Sequence, residues 1–159
     1  MIIPFELNRN AVYVDTNPGE RLVHILRRQF NLLAAKEGCL SGRCGSCMVL
    51  MNDSPVPSCI VPVFQIRNAS IITLEHFSKT EDCEDILQGF EAAGVSMCGF
   101  CNAGKIFIAH MILQTNLRPA KEDIKNAYSG NMCRCTSIDD IITGVKNAGS
   151  IRRIRQNVK

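Results

Sequence analysis

Four cysteines in the first half of the chain have a spacing that can hold iron. They are Cys39, Cys44, Cys47 and Cys59. The pattern C-x4-C-x2-C, with a fourth cysteine twelve positions later, is the arrangement that binds two irons and two sulfides. The thiolates need backbone N–H groups aimed at sulfur, so the chain must turn sharply without bulky side chains in the way. Gly38, Gly42 and Gly45 lie in the same stretch and are expected to allow that turn.

Four more cysteines form two close pairs in the second half of the chain. They are Cys98 with Cys101, and Cys133 with Cys135. Each pair lies just ahead of a predicted helix start, where unpaired N–H groups and the helix dipole stabilise negative charge. A C-x-x-C pair alone also occurs in redox proteins and zinc sites. Combined with a C-x-C pair at a second helix start, it predicts a second 2Fe-2S cluster held between helices.

A zinc scaffold is the structural alternative for both sets. Four cysteines can hold one zinc ion without any redox role. Zinc sites usually draw two close C-x-x-C-like pairs per metal. The C-x4-C-x2-C spacing fits that pattern badly and the C-x-C pair only moderately, so iron is favoured.

Composition and cysteine count favour a reducing compartment for this chain. It has 159 residues, 46% of them hydrophobic and 21% charged, which is typical of a soluble globular protein. Nine cysteines without an export signal favour metal binding over disulfides, and thiolate ligands require reducing conditions, so we expect a cytoplasmic protein. The longest apolar run is too short to span a bilayer, so no membrane partner is expected. The basic end, with Arg152, Arg153, Arg155 and Lys159, is interpreted as a solvated tail or partner contact, and no nucleic acid is expected.

The elements that position the first cysteine set are short strands and one helix. Residues 3–7 and 11–15 predict a hairpin, residues 48–51 begin a second hairpin that Cys59 closes, and residues 70–74 predict a last strand. Asn17 followed by Pro18 predicts a helix start, with His24 as an ordinary helical residue. This pattern predicts a small α+β domain over residues 1–76.

The second cysteine set lies in an all-helical half. Residues 77–82 are expected to form a linker, and residues 83–159 a domain of four helices. The stretch around residues 106–113 is apolar on nearly every side, which is typical of a helix buried among others. His110 in that stretch is expected to be a buried, hydrogen-bonded histidine. Ser137 is the expected cap of a last helix that ends near Ala148.

Together these motifs resemble those of a known family. CLSGRCGSC with Cys59, then CGFC, then GNMCRCT are similar to the iron–sulfur subunit of the xanthine dehydrogenase family of molybdenum hydroxylases. The sequences KEGC at residues 36–39 and PSC at residues 57–59 also resemble those of that family. The likeness covers nearly the whole chain.

The resemblance implies a fold and a role. The fold would be an N-terminal ferredoxin-like β-grasp domain followed by an all-α four-helix bundle. The subunit would relay electrons from a molybdopterin centre on a large subunit to FAD on a medium subunit, and would not be catalytic alone. Cys135 would lie nearest the pterin, and the cluster on the first four cysteines would face the flavin.

Several residues depart from the family pattern. The family usually has glutamine before CGFC, close to the pterin, where this chain has Met97; that side chain either packs or marks a changed cofactor contact. CTPG becomes CNAG at residues 101–104, CTGY becomes CTSI at residues 135–138, and Arg43 replaces an often acidic residue. Arg43 is either solvated or raises the potential of the first cluster. Cys83 fits neither set and is expected to be a free thiol, and His76 a surface or interface residue.

The sequence leaves three interpretations of function. The leading one is a two-cluster electron-transfer subunit of a molybdenum hydroxylase. The others are a zinc-stabilised interaction module and a free-standing ferredoxin. The chain holds no nucleotide-binding glycine motif, so the flavin is expected on a partner.

Overall fold

The first half of the chain folds around a mixed five-stranded sheet. The computed structural model describes residues 1–158. The strands are β1 (Ile2–Leu7), β2 (Asn10–Asp15), β3 (Met48–Met51), β4 (Ser54–Pro57) and β5 (Ser70–Ile72). They lie in the order β2-β1-β5-β3-β4, with β1 and β5 parallel and the other neighbours antiparallel. Both predicted hairpins are present.

The sheet contributes to two hydrophobic cores because strand side chains alternate between its faces. Val49 and Ile71 point into a core with helix α1 (Leu22–Arg28). Their neighbours Leu50 and Ile72 belong instead to the core of the helical half. The two halves therefore share the central strands as a common wall.

Helix α1 begins later than the sequence predicts. The Asn17 side chain accepts a hydrogen bond from the Gly19 backbone N–H at 2.9 Å, so it closes a turn and does not cap the helix. The carbonyls of Pro18 and Glu20 accept from the N–H groups of Phe64 and Val63. This pairing with a distant segment holds residues 17–20 out of helical geometry, and the helix starts at Leu22.

The second half is helical, as predicted. A short helix, α2 (Leu74–Phe77), leads to α3 (Glu81–Ala92), α4 (Asn102–Thr115), α5 (Lys121–Ala127) and α6 (Ile138–Val158). The predicted fold class, a ferredoxin-like β-grasp domain followed by four helices, is confirmed. The division into residues 1–76, 77–82 and 83–159 stays a prediction, and α3 begins inside the predicted linker.

The caps of these helices follow local chemistry. Ser137 caps α6, since its Oγ accepts from the Asp140 N–H at 3.1 Å. Thr80 caps α3 in the same way through the Cys83 N–H at 3.2 Å, a cap that the sequence-based prediction missed. Helix α4 is buried on nearly every side, as its composition predicts. His110 is buried there, but its Nδ1 has no hydrogen-bond partner among residues 1–158 and lies 3.7 Å from the Asp82 carboxylate.

The basic end of the chain is not a solvated tail. Helix α6 extends ten residues past Ala148, and Arg152 is buried against α3, where its Nε donates to Asp85 at 3.2 Å. Arg155 donates to Asp85 at 2.6 Å and to Asp82 at 2.7 Å. These ion pairs hold the last turns of α6 in place. Lys159 lies outside the described residues.

No helix within residues 1–158 combines the length and the apolar character needed to cross a membrane.

Close packing of α3 against α6 depends on Gly89. A Cβ at this position would lie 2.4 Å from the Ala148 backbone nitrogen and 2.6 Å from the Gly144 carbonyl oxygen. Gly89→Ala is therefore expected to lower the free energy of unfolding by about 2 kcal/mol, because overpacking outweighs the better helix propensity of alanine. This loss corresponds to a fall of about 4 to 8 °C in the thermal midpoint. Gly19→Ala is the control, since its Cβ would meet nothing closer than 3.5 Å. Equal midpoints for the two variants would contradict this account of the packing.

Candidate metal centres

The first cysteine set surrounds a loop whose N–H groups point at sulfur. Cys39 Sγ accepts from the backbone N–H of Ser41 at 3.4 Å and of Arg43 at 3.2 Å, and Cys59 Sγ accepts from Gly42 at 3.3 Å. Gly42 and Gly45 both have φ of +74°, the left-handed geometry predicted for this turn. The side chain and backbone of Ser41, followed by the Arg43 N–H, lower the pKa of exposed Cys39 to about 5.

The other edge of this site is buried. Cys47 and Cys59 lie in the core of the first half, where their thiols interact with each other. Burial raises the pKa of Cys47 to about 12. A thiolate at this depth needs a positive partner, which bound iron would supply.

Arg21 joins two arms of the first site, a role that the sequence-based prediction missed. Its guanidinium donates to the carbonyl oxygen of Leu40 and, at 3.0 Å, to that of Cys59. One side chain thus ties the cysteine loop to the segment that supplies the fourth cysteine. Only its polar character beside the apolar positions of α1 was visible in the sequence. By contrast, the exposed Arg43 side chain donates to Ser41 Oγ at 3.2 Å and does not bridge the two segments.

The second cysteine set meets as two sulfur pairs. Cys98 interacts with Cys135, and Cys101 with Cys133, while weaker electrostatic interactions also link the two pairs. Each pair joins one residue of CGFC to one residue of CRC. The Phe100 N–H lowers the pKa of exposed Cys98, whereas burial raises the pKa of Cys101 to about 11.

Two helix starts face the second set, as predicted. Cys101 is the N-cap residue of α4, and α6 begins three residues after Cys135. A cavity of about 340 Å³ opens among the four sulfurs, lined also by Phe100 and Met132. These two apolar side chains are 54% and 65% exposed, so the outer wall of the cavity is apolar and accessible to solvent.

The remaining residues singled out in the sequence are not among the eight cysteines of these two sets. Met97 is half-buried and packs against the helical core. Cys83 is fully buried in that core, and burial raises the pKa of its thiol to about 11. His24 lies on helix α1, and its Nδ1 is 2.9 Å from the carboxylate of Glu20, which precedes that helix. His76 is half-buried in α2.

The two cysteine sets abut each other through the backbone. The Met132 N–H donates to the Cys44 carbonyl oxygen at 2.9 Å, which places the neighbour of Cys133 directly on a residue of the first set. Asn131 is wedged beside this contact: a Cβ on Gly104 would lie 2.3 Å from its Nδ2. Neither polar atom of the Asn131 side chain has a hydrogen-bond partner among residues 1–158.

The arrangement suits clusters of two irons. A 2Fe-2S cluster takes four thiolates around two irons, and the second site brings four cysteines to one cavity. A zinc ion would instead need its four ligands around one point. Within residues 1–158, no group of three or more His, Cys, Asp or Glu residues is arranged to hold one metal ion.

Comparison with known proteins agrees with this division into two sites. Residues 5–65 match the family described as a 2Fe-2S iron–sulfur cluster binding domain. Residues 73–146 match the family described as a 2Fe-2S binding domain. The chain thus carries two domains of types that bind 2Fe-2S clusters, one for each cysteine set.

Relatives along the whole chain are subunits of oxidoreductases. The nicotinate dehydrogenase small FeS subunit of Eubacterium barkeri is 39% identical over 92% of this chain and 93% of its own. A probable xanthine dehydrogenase subunit of Bacillus subtilis is 31% identical over 92% and 83%. A chain in the crystal structure of quinoline 2-oxidoreductase from Pseudomonas putida 86 superposes with a TM-score of 0.86, at 33% identity over 96% of both chains. The chain therefore belongs to the iron–sulfur small subunits of the xanthine dehydrogenase family of molybdenum hydroxylases.

Proposed function

We propose that this chain is an electron-transfer subunit that holds two adjacent 2Fe-2S clusters. The ligands would be Cys39, Cys44, Cys47 and Cys59 for the first, and Cys98, Cys101, Cys133 and Cys135 for the second. The observation that carries the proposal is the hydrogen bond from the Met132 N–H to the Cys44 carbonyl. It leaves Cys44 and Cys133 separated by one hydrogen bond and a few covalent bonds.

The chain's own residues position the sulfurs and set their electrostatic environment. Bound clusters would each store one electron, while the protein fixes where that electron sits and how strongly it is held. At the first site the N–H groups of Ser41, Gly42 and Arg43 stabilise negative sulfur. At the second site the starts of α4 and α6 do the same.

We further propose that electrons pass from a molybdopterin centre on a large subunit, through the second site and then the first, to FAD on a medium subunit. Exposed apolar side chains beside each site support contact with partners: Phe100 and Met132 at the second, and Ile60, 55% exposed, beside Cys59 at the first. Cys135 is also exposed, in keeping with the proposed place of its sulfur beside the pterin.

The substrate of the complex would be an aromatic nitrogen heterocycle. Two similar proteins are named for nicotinate and quinoline, both of this class, and each matches this chain over more than nine tenths of both lengths. Purified complex assayed with nicotinate, quinoline, xanthine and an aldehyde would test this assignment. A preference for the aldehyde would contradict it.

The ligand assignment predicts which substitutions remove which cluster. Cys133→Ser should halve the iron and acid-labile sulfide and abolish one of two reduced-state EPR signals, because it removes a sulfur of the second site only. Cys44→Ser should abolish the other signal. Cys83→Ser is the control and should keep both, since Cys83 belongs to neither set. A colourless zinc protein, or unchanged iron in Cys133→Ser, would rule the assignment out.

The order of the relay predicts different failures in the complex with its partners. With Cys44→Ser, rapid mixing with substrate should still reduce the second cluster, while the flavin stays oxidised. With Cys133→Ser, both the first cluster and the flavin should stay oxidised, because the break lies upstream. The opposite pattern would reverse the proposed direction.

Met97 is proposed to lie at the pterin side of the second site. Met97→Gln would add amide donors there, so we expect both clusters to persist and the complex to retain more molybdenum through gel filtration. Met97→Leu, which keeps only the packing, is the control. Equal molybdenum contents in the unsubstituted, Met97→Gln and Met97→Leu complexes would show that Met97 only packs.

A further inference from the structure

Lys105 is a buried cation that the proposed relay does not yet use. It lies in α4 and is 0% exposed, among the largest fully buried side chains of the described chain. Its Nζ donates a hydrogen bond to the Ser96 carbonyl oxygen. Burying an ammonium group is costly unless an opposite charge compensates it.

The usual partners of a buried lysine are absent around Lys105. Among the ion pairs of residues 1–158, lysine takes part only through exposed Lys121, which binds Asp139. No Asp or Glu oxygen in that range lies within 4 Å of the Lys105 ammonium. The Ser96 carbonyl is a dipole and does not neutralise a full charge. The compensating anion must come from somewhere else in the site.

Hydrogen bonds link Lys105 to both segments that supply the sulfurs of the second site. Its backbone N–H donates to the Cys101 carbonyl at 3.1 Å, one helical turn away. Ser96, which its ammonium binds, also pairs with Thr136, the residue after Cys135, at 2.9 Å.

We infer that Lys105 is the built-in counter-ion of the second cluster and that it raises the reduction potential of that cluster. This inference rests on the proposed function, in which four thiolates and two irons occupy the site. Such a cluster is anionic and gains one more negative charge on reduction, so a fixed cation in a dry environment favours the reduced state. Lys105 thereby makes the second site a better electron acceptor.

Neutral replacements of Lys105 in the full chain test the inference. Lys105→Met removes the charge with similar length, and Lys105→Gln also keeps an N–H donor for the Ser96 carbonyl. Redox titration followed by EPR should show that the equilibrium constant for reduction of the second cluster falls at least tenfold. This is a fall of 59 mV or more in its reduction potential for a one-electron couple. The first cluster should keep its potential. The Cys44→Ser and Cys133→Ser proteins identify which signal belongs to which cluster.

Lys125→Met is the matched control because it removes the same charge from an exposed position on α5. A shift in Lys105→Gln no larger than in this control would overturn the inference. If both neutral variants lose the second cluster, Lys105→Arg decides: a retained cluster supports the counter-ion role, and a lost one shows that Lys105 only packs. Absence of a second 2Fe-2S signal in the unsubstituted chain would instead refute the proposed function itself.

Discussion

The contact between the first cysteine loop and the segment ahead of Cys133 is the constraint on which the rest of the structure depends. The Met132 N–H binds the Cys44 carbonyl, and Asn131 fills the space left by the missing side chain of Gly104. This contact can form only if the sheet and the helices share a wall, which the alternating side chains of β3 and β5 provide. The two halves of the chain therefore bring their cysteine-bearing loops into contact.

The features that the sequence predicts well are those encoded over short distances. Three cysteines of the first set, Cys39, Cys44 and Cys47, follow a fixed spacing around one turn, and the positive φ angles of Gly42 and Gly45 follow from the absence of a side chain. Ser137 caps α6 because its partner is three residues away. The buried character of α4 follows from its composition.

The features that the sequence could not supply depend on distant partners. Asn17 looks like a helix cap, but pairing with residues 63 and 64 holds its segment in a turn. The length of α6 is set by ion pairs that Arg152 and Arg155 make with α3. The pairing of Cys98 with Cys135 and the burial of Lys105 likewise require the three-dimensional packing of helices, which no local spacing encodes.

The depth of Cys83 has a consequence for how the chain matures. Its thiol has no exposed surface, and its pKa of about 11 keeps it protonated at neutral pH. Cys47 and Cys101 are also buried with raised pKa values, but each interacts with another cysteine of its set, whereas burial is the one cause that acts on Cys83. Iron that reached Cys83 would therefore gain a single thiolate there, while each candidate site offers four cysteines, which favours loading at the two sites.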